Sequence, residues 1–279
     1  MLKIGYIDYF LDEWHAEHYP AWIKQQGELL GIKAEVTFAW ADINAPEGEA
    51  NQAWCDRHGI TLCGSEAEVI ALSDAIIVLS PNHSQHHERL SKLALQSGKP
   101  VYIDKTFSPD AASGARMFDL AEKYGTPMFS ASALRFSRQL MTMTDKDKVC
   151  MMSSTGPGDF ETYAVHQVDM LVAVLGAEPR RMMAVEQGVH RQIIIEFEKG
   201  TGSLLQMPEL DFNLYVGNTD GHTSSNSCSD FFENLIAAML EFFVNPANLP
   251  VTRQETMACM RILETGKQAL RNPGSWFAL

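Results

Sequence analysis

A lysine placed directly after a short β-rich run is the arrangement in this sequence best suited to chemistry: Val101-Tyr102-Ile103 leads into Asp104-Lys105-Thr106. An ammonium group at the end of a buried strand can hydrogen-bond a reacting oxygen or, with its pKa lowered by burial, relay that oxygen's proton. A solvated lysine paired with Asp104 is the structural alternative. His166 lies in a helix-like segment with apolar Val165, Val168 and Leu171. Its imidazole, with an ordinary pKa of ~6.5, serves as acid or base near neutrality, or else it is a satisfied core histidine. Asp169 follows one helical turn later on the same face, where it can orient the ring, cap, or stay a surface charge. His15-x-x-His18 and His83-x-x-His86-His87 place imidazoles on one helical face. No carboxylate or cysteine completes a metalloenzyme signature with them, so no metal site is expected.

These groups need a scaffold, and the first half of the chain supplies a rhythm of β-rich runs and amphipathic stretches, as a parallel sheet with crossover helices requires. Strands are expected at Leu2 to Ile7, Glu35 to Ala39, Ala75 to Leu79, Val101 to Ile103 and Pro127 to Phe129. Helices are expected at Ala16 to Leu30, through Trp54 and His58, at Ser84 to Ser97 and at Asp110 to Tyr124, with glycine stops at Gly31, Gly59, Gly98 and Gly125. After about Ser130 the pattern changes. A helix over Thr162 to Leu175 precedes three strand-like runs, Arg181 to Val189, Gln192 to Phe197 and Ser203 to Met207, which suggests an antiparallel sheet. Polar Gly217 to Ser229 reads as a loop, and two helices between Asp230 and Gln268 break at Asn245-Pro246. The expected class is α/β: an N-terminal parallel-sheet domain of Rossmann type over residues 1–130, then an α+β domain with a mainly antiparallel open sheet over 131–279, its C-terminal helix free to pack back on the first.

Within such a unit, Asp42 follows strand two, where a carboxylate hydrogen-bonds an adenosine ribose and favours NAD over NADP. A loop aspartate before Asn44-Ala45-Pro46 is the alternative. Asn82, in Pro81-Asn82-His83, caps the next helix or lines the pocket.

Several segments, in order, resemble the Gfo/Idh/MocA family of NAD(P)-dependent oxidoreductases. Ser80-Pro81-Asn82-His83 with His86, then Gly98-Lys99-Pro100-Val101-Tyr102-Ile103-Asp104-Lys105-Thr106, is similar to the family's strand, helix and Glu-Lys-Pro run. Tyr163 to Leu171 followed by Leu175-Gly176 resembles its second-domain helix with an active-site histidine, and Leu249 to Thr252 through Glu264-Thr265-Gly266 its C-terminal helix. The resemblance implies cofactor contacts at Gly5, Ile7, Asp42, Ser80, Pro81, Asn82, His83, Asp104 and Lys105, and catalytic roles for Lys105, His166 and Asp169. It also implies hydride transfer between NAD(P), NAD by the Asp42 argument, and a sugar, polyol or similar hydroxylated molecule; the antiparallel sheet of the second domain can bury one face on a twin, so a homodimer is expected. Two departures stand out. Where the family carries a glycine-rich turn, this chain has Gly5-Tyr6-Ile7-Asp8-Tyr9-Phe10-Leu11-Asp12-Glu13-Trp14, whose carboxylates repel a pyrophosphate and whose bulk blocks it. Four residues before His166 stands Thr162, not the usual aspartate. A non-catalytic homologue that has lost dinucleotide binding is the competing reading.

Bulk properties narrow the partners. Twenty-two basic against thirty-five acidic residues give a formal charge of −13, which disfavours nucleic acid and anionic membranes. The apolar start is too short for a signal-peptide core, and five scattered cysteines suggest reduced thiols. A cytoplasmic protein acting on a small molecule is expected.

Overall fold

The computed structural model describes residues 1–279. The chain divides into two compact units, Met1–Ala131 with Leu235–Thr252, and Ser132–Asn234 with Arg253–Leu279.

The first unit runs β1 (Leu2–Asp8), α1 (Trp14–Leu30), β2 (Ala34–Ala41), α2 (Asn51–His58), β3 (Thr61–Leu62), α3 (Glu66–Leu72), β4 (Ala75–Val78), α4 (His87–Ser91), β5 (Val101–Ile103), α5 (Ala111–Tyr124) and β6 (Met128–Phe129). Its strands form one parallel sheet in the order β3-β2-β1-β4-β5-β6. This is the doubly wound Rossmann order, and its topological switch point lies between β1 and β4. Strand β4 is buried along its whole length, because a central parallel strand is covered by helices on both faces. Gly31 ends α1 with φ 72°, a left-handed conformation that only glycine adopts without cost. Gly5 sits inside β1, where a Cβ would run into Val69 and Ser73; it lets α3 lie close on the sheet.

Two expectations change here. The helix expected over Ser84 to Ser97 is a tight turn at Ser84–His86, the short α4, and another tight turn at Ala94–Gln96. Buried Leu90, Ala94 and Leu95 fit either winding, so their periodicity does not reveal the i→i+3 bonds. Asn82 caps no helix: the N-terminal residue of the first turn is His83, and it makes no side-chain cap.

The second unit contains α6 (Arg138–Met141), β7 (Val149–Gly156), α7 (Phe160–Leu175), β8 (Pro179–Gln187), β9 (His190–Phe197), β10 (Thr201–Gln206), β11 (Asn213–Asn218) and β12 (Thr223–Ser227). Helix α8 (Phe231–Val244) follows and lies in the first unit from Leu235 onward; α9 (Arg253–Arg271) and β13 (Trp276–Ala278) return to the second. The sheet order is β12-β11-β7-β10-β9-β8-β13, antiparallel except for the β7–β10 pair. One face carries buried Leu214, Ser154, Leu204, Ile193 and Ala184. The other carries a cross-strand row of Tyr215, Ser153, Ser203, Ile194, Met183 and Trp276 that stays exposed or half-exposed. The polar stretch expected as a loop over Gly217 to Ser229 instead holds the end of β11, a turn and β12. An edge strand exposed on nearly every residue shows no apolar alternation, so composition alone reads it as loop.

Candidate functional site

The carboxyl ends of β1 and β4 flank a cavity of about 210 Å³ lined by Asp8, Tyr9, Phe10, Glu13, Trp14, Ser80, Pro81, Asn82 and His83. Open α/β sheets bind ligands at such a switch point. What fills it here is unusual. Helix α1 begins at Trp14, and the Glu13 carboxylate accepts the backbone N–H groups of His15 (2.7 Å) and Ala16. Those free amides are what make a helix N-terminus an anion site, and a side chain of this chain already occupies them. Burial pushes the Glu13 carboxyl up to about 7, against the pull of His15 and the capping N–H groups. Asp8, at the end of β1, is 1% exposed; one oxygen accepts Tyr9 N–H at 2.6 Å, and the other, Oδ2, has no partner. Burial, reinforced by Glu13, raises its pKa well above the usual carboxylate value.

Asp104 is buried after β5 and is held by His15 Nδ1 and by Tyr102, whose hydroxyl donates to Oδ1 at 3.1 Å. Burial pushes its pKa up, but His15 and Lys105 outweigh that and hold it below the ordinary value. Asp104 is therefore the partner of His15, and the pairing with Lys105 considered from sequence gives way to it. Lys105 is 8% exposed at the strand edge, and its Nζ donates to the Pro81 carbonyl at 3.3 Å. The Lys105–Thr106 peptide is cis. The buried His87 ring lies 3.0 Å from Phe107 O through Nδ1 and 3.1 Å from Ser80 O through Nε2, tying the loop after β5 to the loop after β4.

The other sequence candidates are placed as follows. Asp42 stands just after β2, and its carboxylate accepts Arg89 Nη2 at 2.6 Å. Gly5 and Ile7 lie within β1, where Gly5 leaves room for Val69 and Ser73. Of the remaining imidazoles, His18 stacks on Trp14 at 4.4 Å and His86 on Tyr9 at 4.1 Å.

In the second unit, His166 Nδ1 lies 2.7 Å from Ser132 Oγ. Asp169, buried, accepts Ser132 N–H at 2.7 Å through Oδ2 and Arg135 Nη1 at 2.9 Å through Oδ1, while Arg135 also pairs with Glu255. Asp169 thus holds Arg135 and the backbone of Ser132, the residue whose hydroxyl lies against His166. Ser132 and Arg135 are not legible from the sequence, because each lies 34 positions from its partner, His166 and Asp169 respectively. Glu13 carried a weak local signal, an acid just ahead of a helix start.

A six-strand parallel Rossmann sheet followed by a mixed, mostly antiparallel sheet defines the class: an α/β fold of two units. Residues 11–132, which lie mostly in the first unit, match the model of the Gfo/Idh/MocA oxidoreductase family with an NAD-binding Rossmann fold. The match begins within the acidic, aromatic turn, at Leu11. Inositol 2-dehydrogenase of Cereibacter sphaeroides is 33% identical over 102 residues, which are 37% of this chain and 29% of that protein's length. Among solved structures, a probable dehydrogenase from Thermotoga maritima superposes with TM-score 0.76 at 14% identity, covering 99% of each chain. The WlbA dehydrogenase from Bordetella pertussis, in complex with NADH and UDP-GlcNAcA, gives 0.74 at 15% identity, covering 100% of this chain and 98% of that one. At such identities the likeness shows the fold.

The residues at the switch point do not fit the pyrophosphate of a dinucleotide. Glu13 holds the His15 and Ala16 amides, Asp8 puts a second carboxyl on the same cavity wall, and Tyr9, Phe10 and Trp14 stand where a glycine-rich turn leaves backbone bare.

Proposed function

We propose that the protein is a small-molecule-binding member of the Gfo/Idh/MocA oxidoreductase family that no longer takes a dinucleotide at its switch point. The observation that carries this reading is the Glu13 carboxylate on the His15 and Ala16 amides. A diphosphate placed there must displace a carboxylate from the same donors and then sit against buried Asp8, so attraction becomes repulsion.

A second reading has its own support. Lys105 keeps its place at a buried strand edge, and the family's working chemistry is hydride transfer; under it, NAD and a sugar, polyol or similar hydroxylated substrate react, with Lys105 the catalytic residue of the first unit and His166, supported by Asp169, that of the second. Asp42 favours NAD over NADP in that case. Both readings take a small molecule, in the cytoplasm, in a protein whose half-exposed second sheet face pairs two copies. No helix is long and apolar enough to cross a membrane.

Titration of the purified protein with NADH and NADPH, followed by tryptophan-to-nicotinamide energy transfer and by heat, separates the readings. The first expects no saturable binding at millimolar nucleotide. Saturable binding weakened by Lys105→Ala or Asp42→Ala overturns it in favour of the second. Light scattering on the eluting protein checks the dimer.

A further inference from the structure

The rebuilt switch point retains a cavity, and its walls are chemically one-sided. Two carboxyl groups, Asp8 and Glu13, line it, and no lysine or arginine does. Independently of that pair, Ser80 also lines it: this residue is 2% exposed, its hydroxyl has no partner, and its φ of 82° is one that a serine adopts only at a cost. Unpartnered buried oxygens at Asp8 Oδ2 and Ser80 Oγ are groups awaiting a donor. The remaining walls are the aromatic Tyr9, Phe10 and Trp14, with Pro81, Asn82 and the imidazole of His83. Carboxylates beneath aromatic faces favour a cation with an apolar body.

We propose that the cavity between the carboxyl ends of β1 and β4 binds a small organic cation of the alkylamine class, its ammonium on Asp8, Glu13 and Ser80 and its carbon chain against Tyr9, Phe10 and Trp14. This rests on the reading that no dinucleotide takes the same place. A bare metal ion is disfavoured because no group of three or more histidine, cysteine or acidic side chains converges to hold one. A phosphate is disfavoured because the α1 amides are already satisfied. The volume of about 210 Å³ corresponds to roughly seven waters of the liquid, which limits the ligand to a few heavy atoms.

The pH dependence follows from who faces Glu13. Asp8 and Tyr6 on β1, His15 and Tyr19 on α1, and Asp104 after β5 are the titratable groups that act on it, and His83 after β4 shares the cavity wall. With Glu13 titrating at about 7, a cation that stays protonated binds more tightly as the pH rises through that value and releases protons as it binds. An alkylammonium, like a lysine side chain at ~10.4, stays protonated throughout.

The test is calorimetric titration of the full chain with n-butylamine hydrochloride, n-butanol, inorganic pyrophosphate and NADH. The expected result is saturable binding of n-butylamine, stronger at about pH 8 than at about pH 6, and at least about thirtyfold weaker binding of the near-isosteric alcohol. Asp8→Asn and, separately, Glu13→Gln are each expected to weaken the amine by about tenfold or more while keeping the wild-type circular dichroism. Equal affinity for amine and alcohol, unaltered affinity in both variants, or no amine binding with none of NADH either, overturns the cation site and leaves the wider reading standing. NADH or pyrophosphate binding in competition with the amine overturns both.

Discussion

Asp8 and Glu13 are individually costly residues. A buried carboxyl with an unpaired oxygen destabilises the fold once it ionises, and the raised pKa values of both groups express that cost. The sign is that of an acid whose folded pKa exceeds its unfolded one: the folded state holds more protons between the two values, so stability falls as pH rises through that window. For Glu13 the window runs from the ordinary 4.5 to about 7. Replacing it by glutamine keeps an oxygen for the helix amides and removes the titration. Thermal unfolding followed across that range is expected to show a shallower decline for Glu13→Gln than for wild type; a parallel decline contradicts the assignment. Asp8→Asn is expected to raise stability by about 1–3 kcal/mol above neutral pH and by less near pH 5, read from urea unfolding at the two values. Lys105 at a strand edge and Asp42 after a strand were legible from sequence, because both depend only on local pattern. The partners that define their setting were not: His15 lies 89 positions from Asp104, and Arg89 lies 47 from Asp42.

At the scale of elements, the strands β1, β2, β4 and β5 and the helices α1, α5 and α7 follow from apolar runs, caps and glycine stops. Asp110 and Asp159, for instance, cap α5 and α7 by accepting Ser113 and Thr162 N–H groups. Elements that escaped the reading lack those signals. Strand β3 has two residues, α3 seven, and β12 almost no buried face. Close packing is another property that sequence conceals until partners are known. Gly266 on α9 faces the Phe160 ring of α7, where an added Cβ would clash. Gly266→Ala is expected to cost about 1–3 kcal/mol in denaturant unfolding through overpacking, and a neutral result would show that the two helices adjust freely.

For the molecule as a whole, the sequence already indicated a Rossmann sheet followed by an antiparallel one and flagged the acidic, aromatic turn after β1 as the departure from the family. It did not show that the turn is internally satisfied, since that depends on Glu13 reaching the amides of the helix it precedes. Under the proposed function, the Rossmann sheet is kept while Glu13 and Asp8 reverse the charge preference at the switch point. The most direct measurement is the side-chain carboxyl resonance of Glu13, assigned through Glu13→Gln and followed by NMR against pH, with and without millimolar NADH. The account expects a midpoint near 7 that NADH leaves in place. A midpoint near the ordinary 4.5, or a Glu13 resonance displaced by NADH, would contradict it.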